Sequence, residues 1–565
     1  MRKEDKLSWW QALSGFRPSL LIDRLGLDRL SLVLIIIALL VAMPIFTLFV
    51  IALSGDFSSL SHLVKNVIPH ASKTTFLLLF GIAFLTAIIG SLSAWLVSFF
   101  EFPFRKTLSI ALMLPLAVPT YINAYAFVEF FGFTGPIQSL VRNIFGFTSS
   151  RDYWFFEIRS LGGAIIVLSL VLYPYVYLSM RAIFYLQGRK VIEAASLLGA
   201  GHGRIFTNIL LPLARPALAL GVILVLMEAI NDIGAMEYLG VKTLTFSIYS
   251  VWLNQGDFAG AAQIALILLV IILALVIFER LARNKQVFSE KEASIKINGF
   301  QRVKLNGFAK WVALFASLTP VILGFGIPFF ILGFFALRSL KTGFDASLIN
   351  ALFTSISLAT IAAIITVMVA LFLSYAIRIK NTKTIRTLVR LATLGYALPG
   401  TIIALGIFLP LARFDNFVDF YMRDWFGFST GLLLTGSSIT LIFAYVVRFM
   451  VIAEGTISAG FEKIPNTLDQ ASLCYGKSRF DTFFKILLPL MRPAIATAAL
   501  LVFIDVLKEL SATLMLRPFG LETLSIYIHD LASRGRIEQA GLASLIIMLA
   551  GLIPIIILMK TLQKS

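Results

Sequence analysis

The sequence predicts an all-α polytopic membrane protein with about twelve transmembrane helices in two parallel six-helix repeats. Hydrophobic residues make up 59% of the 565 residues and charged residues only 14%, whereas a soluble domain carries roughly 25% charge. Mean hydropathy is +0.91. Apolar runs long enough to cross a bilayer recur from one end to the other. This composition excludes a disordered chain, a fibrous chain and a nucleic-acid-binding globule.

The apolar runs define the predicted spans. Because backbone polar groups in lipid must be satisfied within the segment, we expect every span to be a helix. The runs fall at 30–53, 75–100, 107–129, 162–184, 216–238, 260–279, 311–336, 352–377, 388–411, 431–452, 493–515 and 541–560. The fifth and eleventh of them contain charged residues.

The charges between the spans predict the topology. The run that follows the basic segment 1–29 is too long for the core of a signal peptide, so we interpret it as a retained first span. Most of the 48 Lys and Arg residues lie in the segments on the same side as the N-terminus. The positive-inside rule therefore places both termini in the cytoplasm. The net charge of +18 reports this topology and not a nucleic-acid partner.

The chain repeats itself. Pro119 in LPLAVPTYINAYAF recurs as Pro399 in GYALPGTIIALGIF, 280 residues later, and Leu211-Pro212-Leu213 recurs as Leu488-Pro489-Leu490. An even number of spans in each half makes the two repeats parallel. We expect a cytoplasmic N-terminal segment at 1–29, a first six-span half at 30–280, a polar cytoplasmic linker at 281–310 and a second six-span half at 311–565. Pro115 with Pro119, and Pro399 with Gly400, lie inside spans and either break or kink them.

No catalytic or nucleotide-binding constellation is evident. The four histidines, His62, His70, His202 and His529, lack metal-ligand spacing, and we expect them in solvent-exposed loops. Gly476-Lys477-Ser478 resembles the end of a phosphate-binding loop, but Ala471 stands where that motif needs a glycine. The single cysteine, Cys474, excludes an internal disulfide. The chain is thus predicted not to be an enzyme and to bind no cofactor; any ATP is used by a partner subunit.

Two cytoplasmic segments share one pattern. Residues 193–216 begin with Glu193, Ala194 and Ala195, and predict a short helix, a break at Gly199 and a second helix that ends at a proline. Residues 470–493 repeat the pattern with Gln470, Ala471 and Gly476, and Asp469 precedes them. The small side chains at each helix offer a surface on which another protein can pack. The alternative is a pair of interfacial helices that only anchor the loops.

These segments resemble the EAA motif of importer-type ABC permeases. Glu193, Ala194, Ala195 and Gly199 match that motif; in the second half Ala471 and Gly476 match, Gln470 replaces the glutamate and Ser472 replaces an alanine. The resemblance implies that each loop docks in a groove of an ATPase subunit, two copies in all, with Asp469 as a substitute carboxylate. It also implies a periplasmic binding protein as partner and a bacterial inner membrane location among lipid.

Four stretches, 114–127, 228–241, 395–412 and 505–524, resemble the fused permeases of ferric-iron uptake systems. This resemblance implies import of ferric iron into the cytoplasm. Thiamine, phosphonate and polyamine permeases are relatives and remain alternatives. A proton-coupled secondary transporter would explain the spans and the repeat, but not two EAA-type loops.

Carboxylates inside the fifth and eleventh spans are candidates for a translocation pathway. The spacing puts Glu228 with Asp232, and Asp505 with Glu509, on one helix face each, while Glu237 stands near the outer end of its span. Charges at this depth usually face a cavity or a partner, and oxygen ligands suit hard trivalent iron. We expect no tight metal site, because tight binding would stop transport. The alternative is structural: pairing with Lys508, or capping of broken helices.

Overall fold

The computed structural model describes residues 28–54, 61–197, 199–292, 302–342 and 345–564. In these ranges the chain is helical apart from short connections and one pair of two-residue parallel strands, Phe100–Glu101 and Val303–Lys304. Residues 1–27 of the predicted N-terminal segment and residues 293–301 of the predicted linker lie outside the described residues.

Ten helices in the described ranges are long and apolar enough to cross a membrane, and two bent helix pairs bring the total to twelve. The ten are Leu30–Ser54, Leu63–Phe99, Leu161–Tyr185, Phe258–Ala282, Ala309–Leu340, Ala346–Ile379, Gly400–Phe426, Ser438–Glu462, Arg479–Lys508 and Ile537–Ile557. The third span is the pair Arg105–Ala117 and Thr120–Phe145, and the fifth is the pair Gly203–Leu213 and Arg215–Asn231. The predicted fold class is confirmed.

Short helices lie within and between these spans. Those in the first half are Leu63–Val67, Arg105–Ala111, Leu114–Ala117, Thr120–Phe131, Pro136–Phe145, His202–Ile205, Phe206–Leu210, Leu211–Leu213, Gly234–Tyr238, Leu244–Tyr249 and Ser250–Asn254. Those in the second half are Ile322–Gly326, Lys383–Ala392, Leu394–Ala397, Thr467–Cys474, Arg479–Thr482, Phe483–Leu487, Ser511–Leu516, Leu524–Ser533 and Ile537–Ala540.

Prolines break the third and ninth spans at equivalent places. Pro119 has an extended backbone and precedes the helix that begins at Thr120, and the third span bends there by 97°. Pro399 does the same before the helix Gly400–Phe426. Proline has no backbone N–H, so it suits the position just before a helix and ends the helix that precedes it. Both prolines therefore break the helix; they do not merely kink it.

The chain divides into two units that cut across the sequence halves. One contains Ile364–Tyr396 and Phe449–Ala499 together with the first span as far as Met43. The other contains Pro44–Ala363, Ala397–Arg448 and Leu500–Ser565, and its apolar core includes the buried tyrosines Tyr125, Tyr173 and Tyr177. The boundaries expected from the sequence, at residues 29, 280 and 310, stay a prediction.

The repeat is visible in the second unit as a matching pair of hydrogen bonds. Thr75 Oγ1 accepts from the backbone N–H of Leu244 at 2.9 Å, and Ser355 Oγ accepts from that of Leu524 at 2.7 Å. The two pairs are 280 residues apart at both ends. Equivalent hydroxyls thus start equivalent short helices in the two halves.

Candidate coupling loops and membrane charge cluster

The first loop begins at the end of a membrane-spanning helix and not with a separate short helix. The helix Leu161–Leu197 continues without a break through Glu193 and Ala194, of which the structure describes the backbone alone. Gly199 then adopts a left-handed backbone, with φ of 79°, and the N–H of Ala200 donates to the Ala195 carbonyl at 3.1 Å. This is the expected glycine break, since left-handed φ suits glycine. Ala195 is buried against this chain and offers little surface to a partner.

The second loop carries its own short helix, Thr467–Cys474. Gly476 has φ of 72°, equivalent to Gly199, and the N–H of Lys477 donates to the Ser472 carbonyl at 3.2 Å. Gln470 and Ala471 are exposed on this helix. The predicted order of helix, glycine and second helix is therefore present in both halves.

Apolar side chains that the sequence analysis did not single out surround this glycine. Tyr475 is 86% exposed, and Leu473 and Phe480 are exposed as well. Exposed apolar groups clustered in a polar surface typically mark an interaction site. The sequence feature that could have identified these residues is their position on both sides of Gly476.

Asp469 does not extend from the loop as a free carboxylate. It pairs with Arg378 at the end of the eighth span, with Arg378 Nε 3.1 Å from Asp469 Oδ2. A contact 91 residues apart in the chain has no local sequence signal. Asp469 is therefore engaged within this chain, so the expectation that it replaces the missing glutamate toward a partner is not supported by its contacts.

The helices of the fifth and eleventh spans end next to the predicted carboxylates, so both spans are broken there. One helix stops at Asn231, and Asp232 has an extended backbone before the short helix Gly234–Tyr238. The other stops at Lys508, and Glu509 lies in the gap before Ser511–Leu516. Asp232 and Glu509 are thus the residues directly after a helix end, and the helix face that each would share with Glu228 or Asp505 stays a prediction.

Asp232 and Glu509 cap the short helices that follow them. Asp232 Oδ1 accepts from the N–H of Ala235 at 2.9 Å. Glu509 Oε1 accepts from the N–H of Ala512 at 2.8 Å, and Oε2 accepts from the N–H of Thr513 at 3.0 Å. Carboxylates satisfy the free N–H groups of a helix start in this way. These contacts match the alternative in which the carboxylates have a structural role and cap broken helices.

Cations share this region, so it is not lined by acids alone. Arg448 Nη1 lies 2.7 Å from Glu509 Oε1, and Lys508 Nζ donates to the Leu116 carbonyl at 3.3 Å. Glu228 and Asp505 both interact electrostatically with Arg448 and Lys508. Asn231 and Lys508 each end their helix and are 277 residues apart, so one repeat position is neutral in the first half and positive in the second. We call Glu228, Asp232, Arg448, Asp505, Lys508 and Glu509 the membrane charge cluster.

The two broken spans touch each other beside their breaks. Ser511 Oγ donates to the carbonyl of Asn231 at 2.8 Å, across a separation of 280 residues. Asn231 Oδ1 in turn accepts from the N–H of Gly400 at 2.9 Å, where the ninth-span helix begins. A Cβ on Gly400 would stand 2.8 Å from the backbone nitrogen of Ala512, and Arg448 Nη1 is closer still, so this helix start needs glycine. The breaks of both halves therefore meet beside the charge cluster.

Glu237 belongs to a different group near Leu524–Ser533. His529 Nε2 is 3.4 Å from Glu237 Oε2, and His529 Nδ1 is 3.0 Å from Tyr125 Oη. His529 is buried in a helix, so the expectation that it sits in an exposed loop is wrong. Burial lowers the pKa of His529 below its ordinary value, Asp530 opposes this shift and Arg517 adds to it.

Comparison with known proteins gives the class. The family described as the inner membrane component of binding-protein-dependent transport systems matches residues 87–286 and, a second time, 366–565. The chain belongs to this family. It is a fused permease of two halves, a multi-pass membrane protein, and its family works with an ATPase and a periplasmic binding protein. Permease subunits of this family are not themselves enzymes.

Similar permeases differ in cargo. The Fe(3+)-transport system permease protein FbpB 2 of Haemophilus influenzae is 25% identical over 94% of this chain and 98% of its own length. The putative 2-aminoethylphosphonate transport system permease protein PhnU of Salmonella typhimurium is 28% identical over 35% of this chain and 69% of its own. The sulfate transport system permease protein CysW of Escherichia coli is 28% identical over 42% of this chain and 82% of its own.

Proposed function

We propose that this permease moves ferric iron from the periplasm to the cytoplasm, driven by two copies of an ATPase that dock at its two loops. One observation carries the choice of cargo: similarity to the iron permease of Haemophilus influenzae runs through nearly the whole of both chains. Similarity to the phosphonate and sulfate permeases covers less than half of this chain.

The exposed face of the second loop supports docking there. Gln470 and Ala471 are exposed beside Tyr475 and Leu473, and Gly476 turns the chain next to them. A small side chain flanked by exposed apolar groups suits close packing with a second protein. In the first loop Glu193, Ala194 and Gly199 hold the equivalent positions, at the end of the helix Leu161–Leu197.

The membrane charge cluster supports passage of a cation that is never held tightly. Glu228 and Asp505 offer carboxylate oxygen atoms, which hard trivalent cations prefer, while Asp232 and Glu509 in the same cluster also cap helices. Arg448 and Lys508 lie in the same cluster and interact electrostatically with Glu228 and Asp505. A site that attracts the cargo and still releases it is what conduction requires. Glu237, beside His529, adds a carboxylate outside this cluster.

The distribution of Lys and Arg supports an orientation with both termini in the cytoplasm. Both loops then face the cytoplasm, which holds ATP. The segments on the opposite side of the membrane face the periplasmic binding protein. Binding of ATP would favour one of two states of the permease and so shift the equilibrium between them.

The test is ATP hydrolysis in proteoliposomes that contain the permease, its ATPase and its binding protein. We expect ferric-loaded binding protein to stimulate hydrolysis above the empty protein, and Glu193→Ala to reduce that stimulation. If the complex forms and only phosphonate- or sulfate-loaded protein stimulates it, the cargo assignment is wrong. If no ATPase co-purifies and a proton gradient alone drives uptake, ATP coupling is wrong as well.

A further inference from the structure

Arg378, in the last turn of the eighth-span helix Ala346–Ile379, is almost fully enclosed. Its side chain is only 8% exposed, and that of its partner Asp469 is 25% exposed. Arg378 Nε lies 3.3 Å from Oδ1 and 3.1 Å from Oδ2 of the carboxylate, and Nη2 donates to Oδ2 as well. Arginine is rarely buried unless it is paired, and a two-pronged pair fixes both direction and distance.

The other guanidinium donors hold a second element. Nη1 of Arg378 donates to the carbonyls of Phe461 and Ile464, both at 3.0 Å, and Nη2 donates to that of Pro465 at 3.2 Å. These carbonyls lie where the tenth-span helix Ser438–Glu462 ends, and the last carbonyls of a helix lack helical partners. One side chain therefore joins the eighth span, the end of the tenth span and the loop helix Thr467–Cys474.

A neighbouring aromatic residue contacts the same loop on the C-terminal side of its turn. Tyr375, one turn before Arg378, donates through Oη to the Arg479 carbonyl at 3.0 Å, and its ring centroid is 4.5 Å from that of Phe483. Asp469 and Arg479 lie on opposite sides of Gly476, so the eighth span contacts the loop before and after its turn. A shift of the loop as a unit would therefore have to break these contacts or move that helix.

The first half has the aromatic contact but lacks the ion pair. Trp95 is equivalent to Tyr375, and its ring centroid is 4.7 Å from that of Phe206. The positions that correspond to Arg378 and Asp469 hold Ser98 and Ile192. The ion pair thus occurs only in the half whose loop has a glutamine in place of the glutamate.

We propose that Arg378 is a positioning residue that transmits movement of the second loop to the eighth span. The inference rests on the proposed function, since it needs an ATPase docked at that loop. Lysine cannot replace Arg378, because an ammonium group has no planar fork to reach a carboxylate and three carbonyls together. The second half accordingly uses its loop carboxylate inside the permease, not toward the partner.

The experiment compares Arg378→Ala, Arg378→Lys, Asp469→Asn and the double variant Arg378→Ala with Asp469→Asn in the full complex in proteoliposomes. Three quantities are measured: the ATPase that co-purifies, the melting temperature of the complex, and the cargo transported per ATP hydrolysed. Lys380→Ala is the matched control. Lys380 lies two residues after Arg378 and forms an exposed ion pair with Asp28.

We expect Arg378→Ala to lower cargo transported per ATP about tenfold, while the Ala471 surface still retains the ATPase. The double variant should be no worse than Arg378→Ala, because coupled residues lose one shared interaction. Unchanged coupling in Arg378→Ala would overturn the proposal. So would parallel loss of melting temperature and ATPase binding in every variant, since that outcome marks a purely structural arginine. If the unmodified permease retains no ATPase, the proposed function fails first, and that result is distinguishable from the other two.

Discussion

Buried charges in this permease are satisfied by specific partners, and that is clearest at Glu509. Its side chain is 1% exposed, yet it accepts hydrogen bonds from two backbone N–H groups and pairs with Arg448. An isolated charge at this depth would be very costly, so each acceptor must find a donor. The same carboxylate thus starts one helix and holds another in place.

Removal of Arg448 should therefore cost more than removal of an exposed arginine. We expect Arg448→Ala to lower the free energy of unfolding by roughly 3–5 kcal/mol, because it leaves a buried carboxylate without its cation. Arg423→Ala is the control: Arg423 is 62% exposed and pairs with Asp419, and exposed pairs contribute roughly 0–1 kcal/mol. Thermal unfolding in detergent measures both. Equal losses for the two variants would contradict this account of Glu509.

At the scale of elements, span number and proline breaks were predictable, but the breaks at Asp232 and Glu509 were not. Hydropathy identifies an apolar run, and Pro119 and Pro399 act through their own backbone. Asp232 instead interrupts a helix through a hydrogen bond to a residue three positions on. The helical period cannot anticipate this, because it treats a continuous apolar run as one helix.

Long-range partners escaped the sequence for a different reason. Arg448 is 61 residues from Glu509 in the chain, and Arg378 is 91 residues from Asp469. Nothing local in the sequence marks either arginine as a partner of these carboxylates. The loops were easier to find, because Gly199 and Gly476 recur with the same neighbours and adopt the same left-handed backbone.

Those two glycines give a prediction for the loops as elements. Neither would meet another atom within 4 Å if it gained a Cβ, so substitution acts through the backbone alone. A side chain in the left-handed region costs about 1–2 kcal/mol, and a β-branched one is least tolerated. We expect Gly199→Val and Gly476→Val each to weaken ATPase binding about 5–30-fold, measured by titration of the purified ATPase.

The control for this prediction is Gly203→Val, in the first loop. Gly203 is helical and equally open around its Cβ position, so the change tests bulk without left-handed strain. We expect it to bind the ATPase nearly as the unmodified permease does. Equal weakening in all three variants would mean that the surface, and not the backbone turn, determines docking.

At the scale of the whole molecule, duplication has kept the framework and changed the chemistry. Thr75 and Ser355 form the same hydrogen bond in the two halves. Asn231 and Lys508, at one repeat position, are neutral and positively charged respectively. A fused chain can change one half independently, whereas two identical subunits would place identical charges at both positions. The fused arrangement therefore permits a charge cluster with no exact two-fold symmetry.

Contact between the two breaks has a direct consequence for transport. Asn231 of the first half and Ser511 of the second half touch, so cargo that passes between the halves must separate them. We expect the double variant Asn231→Cys with Ser511→Cys, in a Cys474→Ser background without other cysteines, to lose transport when a short thiol-reactive linker is added. A linker cleavable by reductant should allow transport to return.

Thr75→Cys with Leu244→Cys is the matched control, because it joins two elements of the first half that are equally close. That linkage leaves the two halves free to separate, so the control should keep most of its transport. If linked Asn231 and Ser511 still allow full transport, the cargo does not pass where the two broken spans meet. Loss of transport in both linked variants would instead mean that movement within one half, such as that of the second span against Leu244–Tyr249, is also required for the cycle.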